Sequence, residues 1–149
     1  MASGLAVTLP SAPPAIRLVV TRAPRTKKNS NRMAKVTRTM KGKLWRRVLP
    51  SKAWETWAAT AEVRFLGADP RGVLALGRSW INWPVNCEAT FYRDAKRGDA
   101  VGYYQGLADL LQKRRVIAND VLIESWDGSR LLKDAKNPRV EIVLRPVEG

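Results

Sequence analysis

Apolar residues recur along this chain at two spacings, about every second residue in some stretches and every three to four in others. The β-branched run Ile16-Arg17-Leu18-Val19-Val20 predicts a first strand. Val85 to Tyr92 alternates loosely and predicts another, as does Val121 to Trp126. A last strand is expected over Arg139 to Leu144, where Val140, Ile142 and Leu144 share one face. Trp54, Trp57, Ala58, Ala61 and Phe65 instead fall at helical spacing, with Ser51 as N-cap and Gly67 as the expected stop. A second helix is expected from Ala100 to Arg114. Asp99 would cap it, and Tyr104, Leu107, Ala108 and Leu111 would lie on one face. The order β-α-β-α-β-β predicts an α+β fold, a mixed sheet with helices packed on one face. Residues 1–15 read as a flexible tail and 16–149 as a single domain. The Trp54 and Trp57 pair is expected in the core rather than stacked on bases.

Between the first strand and the first helix, Thr21 to Leu49 has no periodicity and is dotted with turn formers. A loop of that length inside a small domain is usually functional or disordered. Its charge sharpens the picture. Residues 17 to 47 hold twelve basic residues, and no acid occurs before Glu55. The whole chain has 27 Lys and Arg against 13 Asp and Glu, a net charge of +14. Such imbalance costs stability through self-repulsion, and a polyanion that releases counterions on binding is its natural reason. An anionic membrane is the rival partner, but the basic stretch lacks an amphipathic apolar face. Nor does any stretch reach the ~18 apolar residues of a spanning helix. A cytoplasmic, nucleoid-associated protein without a membrane partner is expected.

The chain has no histidine and only one cysteine, Cys87. Zinc-finger ligand sets, internal disulfides and histidine-based nucleophilic catalysis are therefore excluded. Chemistry, where there is any, must rest on carboxylates, lysines, hydroxyls or an oxygen-ligated metal. Asp99 and Asp120 stand at element starts, where functional side chains are commonly presented. An N-cap and a turn are the structural roles such residues usually fill.

Three blocks, Gly98-Asp99-Ala100-Val101-Gly102-Tyr103, Ala108-Asp109-Leu110-Leu111 and Val116-Ile117-Ala118-Asn119-Asp120, resemble the RusA-type Holliday-junction resolvases. Pro24 to Ser30 is similar to that family's opening motif. Leu49 to Trp54 resembles the start of its first helix, and Pro138 to Ile142 its closing strand. The likeness spans about residues 16 to 145. Val101, Gly102 and Gln105 stand where the family carries Asp, Asn and Lys, and Asn119 stands at the first Asp of a pair. Positions 101 and 105 are one helical turn apart, so an acid and a base on one face are both uncharged here, which reads as a remodelled site.

The resemblance implies a homodimeric, magnesium-dependent endonuclease, with Mn²⁺ as a possible substitute. Its substrate would be branched double-stranded DNA, cut in phage or prophage recombination. Asp99 and Asp120 would be its catalytic residues and metal ligands, close enough for one ion to touch both. Arg25, Lys27, Lys28, Asn29, Arg32, Lys96 and Arg97 are the expected DNA contacts. Apolar surface including Trp80, Ile81 and Trp83 is expected at a dimer interface. The alternative is a catalytically inactive branched-DNA-binding protein on the same fold. An RNA-binding module is a weaker third reading, since Val85 to Tyr92 offers only Phe91 and Tyr92 for stacking.

Overall fold

The computed structural model describes residues 15–27, 37–38, 44–45, 51–67 and 81–147. Its elements run β1 (Ile16–Thr21), β2 (Thr37–Arg38), β3 (Leu44–Trp45), α1 (Lys52–Thr60), β4 (Val63–Leu66), β5 (Val85–Arg93), α2 (Ala100–Lys113), a 3-10 turn (Asp120–Leu122), β6 (Ile123–Ser125), β7 (Arg130–Lys133) and β8 (Arg139–Pro146). The six-stranded sheet has the order β4-β1-β8-β5-β6, with β7 also on β5. Pairing is antiparallel from β4 to β5, while β6 and β7 run parallel to β5 at its two ends. A parallel pair needs a crossover, and α2 supplies it between β5 and β6. The fold is α+β.

Period-two alternation decides which face of the sheet is covered. Ile16, Leu18 and Val20 of β1, Val85, Cys87, Ala89 and Phe91 of β5, and Val140, Ile142 and Leu144 of β8 all enter one core. Both helices press their apolar stripes onto that face, Trp54, Trp57 and Ala58 from α1 and Tyr103, Leu107, Leu110 and Leu111 from α2. Each Val, Leu, Ile or Phe side chain among them, taken from water, contributes roughly 1.5–3 kcal/mol. The two tryptophans are core residues, 5% and 3% exposed.

Helix α1 is shorter than its spacing predicts. It stops at Thr60, Ala61 turns to extended backbone (ψ 144°), and Val63–Leu66 becomes an edge strand on β1. Phe65 fits the helical period, but β1 offers a free edge and β-branched Val63 suits a strand. The Arg114 guanidinium donates to the carbonyls of Ala58 (3.2 and 2.8 Å) and Ala61 (2.6 Å), satisfying the end of α1 with a cation.

Three further expectations change. The stretch expected as one strand from Val121 to Trp126 opens as the 3-10 turn, leaving a strand of only three residues. Arg130–Lys133 adds a strand that no alternation predicts. Ile81 is not surface: it is fully buried, its N–H donates to the Val116 carbonyl, and the Ile81 carbonyl accepts the Ala118 N–H. Trp83 packs partly buried against the core, and Trp80 lies outside the described residues. The expected tail falls outside them too, apart from Ala15. Among the described residues no helix is long and apolar enough to cross a membrane.

Candidate nucleic-acid interface

The described residues that flank the basic segment, Lys27 and Ser51, adjoin at one place. After β1 the chain crosses α2, and the lack of side chains at two α2 positions lets it come close. A Cβ on Gly106 would lie 2.7 Å from the Arg25 carbonyl oxygen, and one on Gly102 would lie 3.0 Å from Thr26 Cγ2. Gly102, Gly106 and Asp109 form one stripe along the helix. Asp109 Oδ2 accepts Lys27 Nζ at 2.6 Å, fixing the end of the crossing.

The other root of the loop is tied to the first. Ser51 donates from its N–H to the Lys27 carbonyl (3.2 Å) and from its hydroxyl to the Thr26 carbonyl (3.0 Å). The same hydroxyl accepts the Trp54 N–H (3.1 Å), so Ser51 is the N-cap of α1. Trp54 Nε1 then reaches the buried Gly106 carbonyl (3.0 Å), and Lys27 Nζ stands 5.2 Å from the centre of the Trp54 ring. Residues 28 to 50, with eight basic side chains and no acid, are thus bracketed by two adjoining anchors.

Beside these anchors lies the turn after β5. Arg25 meets Asp94 through two parallel bonds, Nη1 and Nη2 each at 2.9 Å from a carboxylate oxygen. Those hydrogen bonds hold the Asp94 carboxyl below its ordinary value, helped by the charges of Arg25 and Arg97, and they raise the Arg25 guanidinium. Arg93 is 8% exposed and has no carboxylate partner among the described residues. Its Nε donates to the Leu132 carbonyl (3.1 Å), and its guanidinium stands 5.6 Å from the centre of the Tyr103 ring. Tyr103 donates its hydroxyl to the Arg97 carbonyl at 2.6 Å. The backbone of the turn is therefore clamped, while the Lys96 and Arg97 side chains are exposed. Among the described residues the Arg97 side chain makes one long 3.5 Å contact, to Asp94.

The expected DNA contacts accordingly divide. Lys96 and Arg97 sit on the exposed turn; Arg25 and Lys27 sit beside it in ion pairs; Lys28, Asn29 and Arg32 lie outside the described residues. Sequence reasoning missed Asp94, because its partner is 69 residues away. It also missed Arg93, which continues the inward alternation of Val85, Cys87, Ala89 and Phe91 along β5 but carries a charge.

The two expected metal ligands are not brought together. Asp99 Oδ1 accepts the Gly102 N–H at 2.8 Å, so this carboxylate is the N-cap of α2. The Asp120 N–H instead donates to Oε1 of Gln112, at the far end of the same helix (2.9 Å). From Asp99 to Gln112 is roughly 20 Å of helix axis at 1.5 Å per residue. Magnesium holds its ligand oxygens at about 2.0–2.1 Å, so one ion cannot bind both carboxylates of a single chain. Asn119 turns its side chain onto the Val121 N–H (3.1 Å) and caps the 3-10 turn. Among the described residues no three acids or cysteines converge on a metal position. Within one chain, then, the expected magnesium pair does not fit.

No protein-family model matches the chain, and no curated protein is significantly similar to it.

Proposed function

We propose that this protein is a DNA-binding protein on a RusA-like scaffold, gripping branched DNA through the basic segment and the exposed turn beside its roots. The observation that carries the reading is the bracketing of that segment. Eight basic residues without an acid lie in sequence between Lys27 and Ser51, which adjoin each other beside the turn that carries Lys96 and Arg97. A run of cationic residues in a chain of net charge +14 suits a phosphate backbone, whose contacts position a protein without reading sequence. Two acids beside the roots, Asp94 and Asp109, are neutralised by Arg25 and Lys27.

A second reading, cleavage in the manner of the resembled resolvases, is favoured by one feature. Val101 and Val121 are 57% and 74% exposed and sit beside Asp99 and Asp120, at opposite ends of α2. A second copy related by a two-fold axis across the middle of α2 would cover both valines. It would also set Asp99 of one protomer against Asp120 of the other. Cleavage on this reading belongs to the dimer and is absent from the monomer.

Both readings are tested with a labelled four-way junction, with and without Mg²⁺ or Mn²⁺. Binding without nicks supports the first. Symmetric nicks that disappear in Asp99→Asn and in Asp120→Asn, and partly return when the two variants are mixed, establish the second. Failure to bind the junction at low salt eliminates both.

A further inference from the structure

Between the turn that follows β1 and the outer face of α1 lies a cleft of about 410 Å³. Arg22 and Arg25 stand on one wall, Thr56, Trp57 and Thr60 on the other, and Pro138 borders it. That volume lies within the range of small-ligand sites, and it suits a unit the size of one nucleotide.

Arg22 adopts φ +72°, a left-handed conformation that costs a residue with a side chain on the order of 1 kcal/mol. Glycine would fit there without strain, yet the chain places a guanidinium at the cleft wall. Among the described residues nothing bonds that guanidinium. Arg25 differs, because both its Nη atoms are held by Asp94. Thr60 spends its hydroxyl proton on the Thr56 carbonyl (2.7 Å), whereas the Thr56 hydroxyl has no partner among the described residues. The cleft therefore offers a cation and a hydroxyl donor, neither bonded among the described residues, over alanine, indole and proline surface.

We propose that this cleft seats one sugar–phosphate unit of unpaired DNA, the phosphate on Arg22 and the sugar against the apolar wall. The inference rests on the DNA-binding reading and deepens it. A nucleotide within a duplex reaches such a cleft only by extrusion, which costs unstacking and unpairing, so the natural occupant is the strand freed at a branch point. The guanidinium fork matches a phosphate, and the apolar wall distinguishes a nucleotide from a bare anion.

The test is fluorescence anisotropy with a labelled single-stranded oligothymidylate and a labelled blunt duplex. Each is titrated with the wild-type protein, Arg22→Gly, Arg22→Lys and Thr56→Trp. Arg22→Gly weakens single-strand binding about tenfold and duplex binding less than about twofold. It does not lower the melting temperature, because glycine is at ease at this φ. Thr56→Trp fills the cleft from an exposed helix position and weakens the single strand selectively as well. Arg22→Lys keeps the charge without the fork and falls between wild type and Arg22→Gly. Equal losses on both DNAs would reduce Arg22 to a general charge and overturn the assignment, as would an unchanged single-strand affinity. A wild-type protein that binds the four-way junction but not the single strand overturns the cleft and leaves the DNA-binding reading standing. Arg22-dependent binding of the single strand without junction binding does the reverse.

Discussion

Gly106→Ala tests whether the close crossing of α2 organises the basic loop. The new methyl group would stand 2.7 Å from the Arg25 carbonyl oxygen and 3.2 Å from Trp54 Cδ1. The carbonyl is backbone, and its neighbours are fixed by Asp94, Ser51 and Asp109, so the crossing segment cannot yield alone. Against this stands helix propensity, which favours alanine over glycine by about 1 kcal/mol. Overpacking costs about 1–3 kcal/mol. Disturbing the buried bond from Trp54 Nε1 to the Gly106 carbonyl adds about 1 kcal/mol. The net is a destabilisation of about 2 kcal/mol, or about 6 °C in melting temperature for a chain of this size. Calorimetry gives the shift, and the neighbouring exposed Gln105→Ala serves as control, expected within about 0.5 kcal/mol of wild type. DNA affinity should fall with Gly106→Ala, since both loop anchors shift, and stay unchanged with Gln105→Ala. A raised melting temperature for Gly106→Ala would mean that propensity alone governs the site and would refute the close-crossing argument.

Other outcomes follow from the same geometry. Asp94 titrates below its ordinary value in the folded state, so its contribution to stability is present above about pH 4, the unfolded carboxyl's range, and is lost as pH falls through the lower folded value. Urea unfolding between about pH 5 and pH 2 should show that loss in wild type and a shallower dependence in Asp94→Asn. Lys28→Gln with Arg32→Gln should lower the slope of log K against log salt by about 1.8 if both contact duplex phosphates; an unchanged slope removes them from the interface. Asp99→Asn keeps the cap and should leave stability within a few tenths of a kcal/mol, whereas Asp99→Ala should cost about 1 kcal/mol. Equal stability of the two variants, measured by thermal unfolding, would deny Asp99 its capping role.

How far the sequence led depended on whether a feature was local. The alternation of β8, the Ser51 cap and the Asp99 cap are all local, and each stands in the structure as read. The end of α1 is not a local feature: Ala61 and Phe65 satisfy the helical period, while the free edge of β1 draws Val63–Leu66 into a strand. Strand β7 has the sequence Arg-Leu-Leu-Lys, with no alternation, and exists through its pairing with β5. The Arg25 and Asp94 pair joins residues 69 apart, beyond any local pattern. The separation of Asp99 from Asp120, by contrast, was legible: a helix from Ala100 to about Arg114 already puts its two ends roughly 20 Å apart.

The central claim is that the bracketed basic segment and the turn beside it grip branched DNA. Its most direct test is competition, with a labelled four-way junction bound to the protein and displaced either by unlabelled junction or by linear duplex of the same arm sequences, at a fixed salt concentration. The account predicts that the junction competes at least about tenfold more effectively than the duplex. It also predicts that charge reversal at Lys96 and Arg97 weakens both complexes. Equal competition by linear duplex would contradict recognition of the branch, and undiminished binding after charge reversal would contradict the placement of the interface.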